Sequence, residues 1–149
     1  DETAACRPWR VERRGVKLAV FGVSLLPGGE AGPGIPGVAS LPKHQTILSR
    51  ELAGAWERGE RVVVLLHGGD EYRDAVNDDQ RRWTRWLVAR GAEIVAGAHP
   101  HVVQREERLG GATILHSLGN AVYPEELKSV ARVQVFRDFL VAKAQRWHF

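Results

Sequence analysis

Apolar residues along this chain fall into two rhythms. Val16–Ser24 (VKLAVFGVS) and Arg61–Leu66 (RVVVLL) are short, β-branched apolar stretches, the pattern of strands. The second is a continuous run rather than an alternation. Strands covered on both faces have that pattern, which points to a parallel sheet packed under helices. Between the two, His44–Arg58 carries Ile47, Leu48, Leu52, Ala55 and Trp56 at helical spacing, and Gly59 can close the helix. Asn77–Arg90 repeats the helical rhythm. Asn77 suits an N-cap, Asp78 and Asp79 complement the positive N-terminal end, and Trp83, Trp86 and Leu87 form the inward stripe. Glu93–Gly97 (EIVAG) is the next strand, and Val102–Leu109, Gly110-Gly111 and Ala112–Ser117 make a hairpin. Leu25–Pro42, rich in Gly and Pro, is a long loop. Val130–Phe136 adds a strand, and Arg137–Phe149 fits either a strand or an amphipathic helix. The order strand, helix, strand, helix, strand, hairpin predicts an α/β fold with a mixed sheet.

Composition narrows the function classes. The 149 residues make one domain of ordinary character, 44% hydrophobic and 26% charged. No apolar run approaches the roughly 18–20 residues that span a bilayer, and no signal-peptide pattern opens the chain. A net charge of +3 spread over dispersed arginines favours anionic ligands in general and singles out no partner. Arg13-Arg14 and Arg81-Arg82 are solvated pairs rather than a nucleic-acid footprint. The lone Cys6 excludes an internal disulfide and a thiolate zinc site. With Asp1 first and no Met, the chain is expected to be part of a longer product.

The histidines change the picture most. His67 follows Arg61–Leu66 directly and precedes Gly68-Gly69, which let backbone or ligand approach closely. His99 stands two residues after Gly97. One helix separates the two strands, so they form a β-α-β unit with parallel neighbours, and both histidines leave the C-terminal edge of the sheet, where such folds bind ligands. In His99-Pro100-His101, Pro100 biases His99 toward extended angles, and in an extended chain residues i and i+2 point the same way. Both imidazoles would then face one ion. Imidazole suits zinc, iron, copper or nickel and joins carboxylates around manganese. Asp70, Glu71 and Asp74 are within reach as oxygen ligands or as acceptors that orient the histidines. A lone strand-end histidine is more often a hydrogen-bonded structural residue than a ligand. His44 and His148 take that reading. The triplet beside a third histidine favours a metal.

Three blocks carry a resemblance: His67–Tyr72 (HGGDEY), Gly97–Gln104 (GAHPHVVQ) and Ser117–Asn120 (SLGN). With Gly15–Ser24, the Gln80–Gly91 helix and the Ala92–Gly97 strand, they keep order and spacing from about Gly15 to Tyr123. The sequence resembles the CapA/PgsA family of bacterial capsule and poly-γ-glutamate synthesis proteins, within the calcineurin-like metallophosphoesterase superfamily. The resemblance implies a two-metal site at one edge of a β-sandwich flanked by helices. His67, His99 and His101 match metal ligands. Asn120 and the Ser117–Asn120 backbone would shape the floor, Glu71 and Tyr72 would line the site, and Gly68 and Ser117 would meet substrate. Ala98 and His116 depart from the usual pattern, which often has histidine and tyrosine there. His116 is either a new site residue or, more simply, a strand-end substitution without a role.

The resemblance further implies divalent ions (manganese, zinc or iron), a phosphorylated or otherwise anionic substrate, and hydrolysis of a phosphoester or related bond. A polyanionic polymer and membrane synthase subunits are implied partners, and the cell envelope or exterior the implied location. The alternative is a non-catalytic scaffold or polymer-binding subunit. The family's Gly-Asp, Asn-Leu-Glu-like and Asn-Asn-His blocks, which supply the other ligands, are absent from these residues. The chain is therefore expected to be a single incomplete domain over 1–149, starting about halfway through.

Overall fold

The computed structural model describes residues 1–120, and Asp1–Gly119 form one compact unit. The strand expected over 130–136 and the tail after it lie outside the described residues. The elements are α1 (Glu2–Ala5), β1 (Trp9–Arg13), β2 (Val16–Ser24), α2 (Gln45–Glu57), β3 (Arg61–His67), α3 (Asp78–Val88), β4 (Ala92–Ala98), β5 (Glu106–Leu109) and β6 (Ala112–Leu115). The strands form one mixed sheet in the order β1-β2-β3-β4-β6-β5, with β2, β3, β4 and β6 parallel and the outer strands antiparallel to their neighbours.

Strand order steps one way from β2 through β3 to β4, so two right-handed crossovers must put α2 and α3 on the same face. The core shows it. Leu48, Leu52 and Ala55 of α2 join Trp83 and Leu87 of α3 in one cluster with Ala19, Phe21, Val23, Val62, Val64, Leu66, Val95 and Ile114. The opposite face, with Leu18, Val20, Val63, Ile94, Ala96 and Leu115, is half-buried, and Leu65 is 51% exposed. Among the described residues, helices cover Arg61–Leu66 on one face only. A continuous apolar run shows that both faces avoid water, not which element covers them, and no second layer occurs among the described residues. For the same reason these residues show one sheet of the expected sandwich and no second one.

Two details of the helices also differ from the sequence reading. Trp56 is 70% exposed rather than inward. The buried stripe of α2 is Leu48, Leu52 and Ala55, and Trp56 lies one step past it, its ring edge over Gly91. In α3, Asn77 caps as expected, but Gln80 completes the cap. Asn77 Oδ1 accepts from the Gln80 backbone N–H at 2.9 Å, and Gln80 Oε1 accepts from the Asn77 N–H at 3.1 Å. Trp83 is buried, while Trp86 is half-buried beneath the Arg90 guanidinium, 4.0 Å from the ring centroid.

β1 was not legible as a strand, because its five residues WRVER carry three charges. Trp9 and Val11 nevertheless alternate with Arg10 and Glu12. Arg14 (φ 51°) and Gly15 (φ 79°) make the left-handed two-residue turn that hairpins favour. The hairpin near the other edge is shorter than expected, since β5 begins at Glu106. The loop after β2 is held by isolated bridges at Ser24–Ser40 and Glu30–Val38. Buried His44 clamps it: Nδ1 accepts from the Ser40 N–H at 2.9 Å, which leaves Nε2 to donate to the Ala31 carbonyl at 3.1 Å. That is the structural role expected of His44. Cys6 is buried, and burial pushes its thiol up to about 11, far from the thiolate that would bind metal. Among the described residues no helix is long and apolar enough to cross a membrane.

Candidate metal centre

β3 and β4 are parallel neighbours in a register that sets His67 opposite Ala98, so His67 and His99 leave the same edge side by side. The Gly68 N–H continues the pairing to the Ala98 carbonyl at 3.0 Å. The His67 and His99 rings meet edge to face with centroids 5.0 Å apart, and His99 and His101 lie 5.9 Å apart. Tyr72 stacks on His101 at 5.7 Å. The ligand atoms that come closest belong to Glu71, His99 and His101, all within 4.8 Å of one another. His101 Nε2 lies 3.9 Å from a Glu71 carboxylate oxygen. His67 stays one ring away from this group. The tight cluster is thus two imidazoles and a carboxylate.

The backbone brings them together differently from the extended alternation expected at His99-Pro100-His101. His99 has φ 108° and His101 φ 59°, and Tyr72 opposite has φ 57°. Three of the four described non-glycine residues with positive φ thus sit at this site. Each such conformation costs about 1–3 kcal/mol and persists only where the surroundings impose it. Proline restricts the residue before it mainly against helical angles, and tertiary contacts chose a rarer alternative. Buried Pro100 provides the anchor: its carbonyl accepts from the Tyr72 N–H at 2.8 Å, and its ring packs on Gly69. At Gly69 (φ 119°) an added Cβ would come within 2.8 Å of the Pro100 ring and the Gln80 side chain, and at Gly68 within 2.6 Å of Leu25. The glycine pair therefore lets the protein close on itself at this edge.

Ser117 is buried, and its Oγ accepts from the Gly119 N–H at 3.2 Å. Leu118 donates to the Gly97 carbonyl at 3.0 Å, which holds the segment against the end of β4. Asn120 is exposed and falls in a separate unit from the histidines. Asp70 accepts from Asn77 Nδ2 at 3.1 Å and so supports the helix cap, while Asp74 is exposed and outside the cluster. His67 is held below the ordinary imidazole range, first by lost hydration and then by repulsion from His99 and His101. The neutral ring is the ligating form. Two imidazole nitrogens and a carboxylate oxygen suit zinc, iron or manganese, and atoms that now lie within 4.8 Å of one another would have to draw closer to share one shell.

The family described as bacterial capsule synthesis protein PGA_cap matches residues 1–125. This chain belongs to that family. It is 36% identical over 113 residues to the PGA biosynthesis protein CapA of Bacillus subtilis (strain 168), covering 74% of this chain and 29% of the relative. It is 31% identical over 117 residues to the capsule biosynthesis protein CapA of Bacillus anthracis, covering 74% of this chain and 28% of the relative. The chain thus spans less than a third of the length of these relatives. The PGA_cap match takes in α1 and β1 as well as the whole histidine cluster.

This PGA_cap member also uses residues that sequence reasoning passed over. Gln80 and Gln104 are buried and bonded to each other at 2.7 Å. The Asn77-x-x-Gln80 spacing, a capping-box signature, could have flagged the first, and the second closes the Gly97–Gln104 block that carries the resemblance. His116 is neither idle nor at the metal cluster. It is buried, its Nε2 lies 2.9 Å from Glu107 Oε2, and its Nδ1 has no partner among the described residues.

The His116 hydrogen bond, ahead of the Arg105 and Arg85 charges, holds Glu107 below the usual carboxylate range. A carboxyl lowered on folding contributes stability that is fully present above its unfolded pKa and is lost as pH falls through the lowered folded value. Glu107→Gln keeps an acceptor and removes the charge. It should cost about 1 kcal/mol near neutral pH and flatten the acid limb of a urea-derived stability profile. Profiles that superimpose would remove the pair from the account.

Proposed function

We propose that this chain supplies one wall of a divalent-metal hydrolytic centre that serves bacterial capsule or poly-γ-glutamate synthesis. One observation carries the reading. Glu71, His99 and His101 converge within 4.8 Å on a strand edge whose two histidines sit in costly positive-φ conformations. A fold with no use for the cluster has no reason to impose that strain.

On this reading Glu71, His99 and His101 hold one ion, of manganese, zinc or iron, and neutral His67 faces a second whose other ligands lie beyond the described residues. Metal ions in such a pair supply an activated water at neutral pH and charge stabilisation for in-line displacement at a phosphoester or related bond. The chain's own residues do the rest. Burial of Pro100 fixes the angle between His99 and His101, and stacking on Tyr72 fixes the His101 ring. On this reading the hydroxyl of Tyr72, an exposed residue, donates to an anionic group of the substrate. Gly68 and Ser117 shape the floor, as the family resemblance implies. The cell envelope, a polyanionic polymer and membrane synthase subunits belong to the same proposal.

A second reading, a scaffold or polymer-binding subunit without turnover, has its own support. Among the described residues no second layer covers the sheet face opposite the helices, where Leu65 is half exposed and Trp9, at its edge, is 66% exposed, and apolar faces of that kind mark association surfaces. Hydrolysis of an aryl phosphate with added manganese, assayed on a protein that also carries the rest of the centre, separates the two. The hydrolase reading expects turnover that His67→Ala lowers at least about 100-fold, the scale of loss expected when a transition-state interaction is removed. Turnover that is absent, or indifferent to His67, leaves the scaffold.

A further inference from the structure

A buried glutamine has two N–H donors and a carbonyl acceptor to satisfy, and leaving any of them unmet is costly. Gln104 is 5% exposed, three residues beyond His101. Its Nε2 gives one hydrogen to the Arg73 carbonyl at 3.0 Å and the other to the Ala75 carbonyl at 3.1 Å. Its Oε1 accepts from Gln80 Nε2 at 2.7 Å. Gln80, 2% exposed, also donates to the His116 carbonyl at 3.3 Å and accepts from the Asn77 N–H at 3.1 Å. The two amides form a closed relay with every donor used.

The relay fixes the loop that carries Glu71. Residues 70–75 are all exposed, so side-chain packing does little to hold them. Beyond the Asp70–Asn77 bond at its start, three attachments do: the Tyr72 N–H on the Pro100 carbonyl, and the Arg73 and Ala75 carbonyls on Gln104. All three run to residues 100–104, the segment that carries His101 and follows His99. Glu71 is thereby tied to the same short stretch of backbone as the two imidazoles it faces.

We infer that Gln104, backed by Gln80, is a positioning residue that sets Glu71 against His99 and His101. What the position serves rests on the metal-centre reading above; the tether itself does not. The side chain must be an amide. Glutamate at 104 would turn an oxygen toward two carbonyls, and leucine would keep the shape without the bonds.

The test uses Gln104→Leu in the 149-residue chain. Without metal, amide hydrogen exchange should show protection at Tyr72 and Asn77 falling about 10-fold or more, while β2 and β3 keep theirs, because local opening is read separately from global unfolding. Cobalt(II) titration, followed by visible absorption, should show Gln104→Leu and Glu71→Ala each weakening binding about 10–100-fold. The double variant should be no weaker than Glu71→Ala alone, since both act through one carboxylate. Unchanged protection at Tyr72, or losses that multiply in the double variant, overturns the inference. If the wild type binds no cobalt, the metal-centre reading fails and exchange alone judges the tether. Should Gln104→Leu not fold, Gln104→Asn, too short to reach both carbonyls, is read in the same way.

Discussion

Replacing His99 and His101 together with alanine should strip bound divalent metal from the protein, with elemental analysis after dialysis falling from a measurable stoichiometry to background. The pair supplies two of the three ligand atoms in the tightest cluster, beside Glu71. Loss of an orienting residue outside the ligand set already costs about 10–100-fold in affinity, so losing two ligands should exceed that. A single variant sharpens the point. His99 holds φ 108°, a conformation that glycine adopts freely. His99→Gly should therefore unfold at higher urea, by about 1 kcal/mol once the strain is released, while still losing metal. A variant that gains stability as it loses the ligand marks the histidine as kept for binding. A wild-type protein without metal, or a double variant that keeps it, would sink the metal reading.

The largest expected loss of stability comes from Gly97→Ala. An added Cβ would fall 2.0 Å from the His116 carbonyl oxygen and 2.7 Å from its carbon. Both are backbone atoms, so no rotamer change relieves the clash. Strands β4 and β6 would have to part near Ala96–Leu115, where their pairing ends. The bonds from Leu118 to Gly97 and from Gln80 to His116 would go with it. Overpacking of this kind costs about 3 kcal/mol or more at the severe end, and urea denaturation will measure it. Because Gly97 stands two residues before His99, cobalt affinity should fall as well. A loss under about 1 kcal/mol would mean that the two strands are not in contact there.

Much of the fold was legible because its signals are local. Val16–Ser24 and the run from Arg61 are short and rich in β-branched residues, as strands are, and Asn77 announces the start of α3. The β-α-β order alone brought His67 and His99 to one edge, since neighbouring parallel strands end together. The resemblance had Glu71 line the site, but as a metal ligand it could be offered only as one of three nearby carboxylates. Choosing among Asp70, Glu71 and Asp74 required knowing that Asp70 turns back to Asn77 and that Tyr72 bonds to Pro100. Trp56 looked inward because helical spacing marks a stripe without marking its edge. β1 stayed hidden because an edge strand needs few apolar residues.

By itself, then, the sequence determined the α/β class, the order of the central elements and the edge from which the histidines emerge. These follow from hydrophobic periodicity and from the handedness of crossovers, both properties of short stretches of chain. Tertiary structure alone decided which atoms meet: a carboxylate with two imidazoles, strained φ angles in place of an extended triplet, and a glutamine relay fastening one loop to another. Such contacts join residues about 30 positions apart through buried hydrogen bonds. Local propensity carries no record of them, because each is favourable only once the sheet has placed its partner.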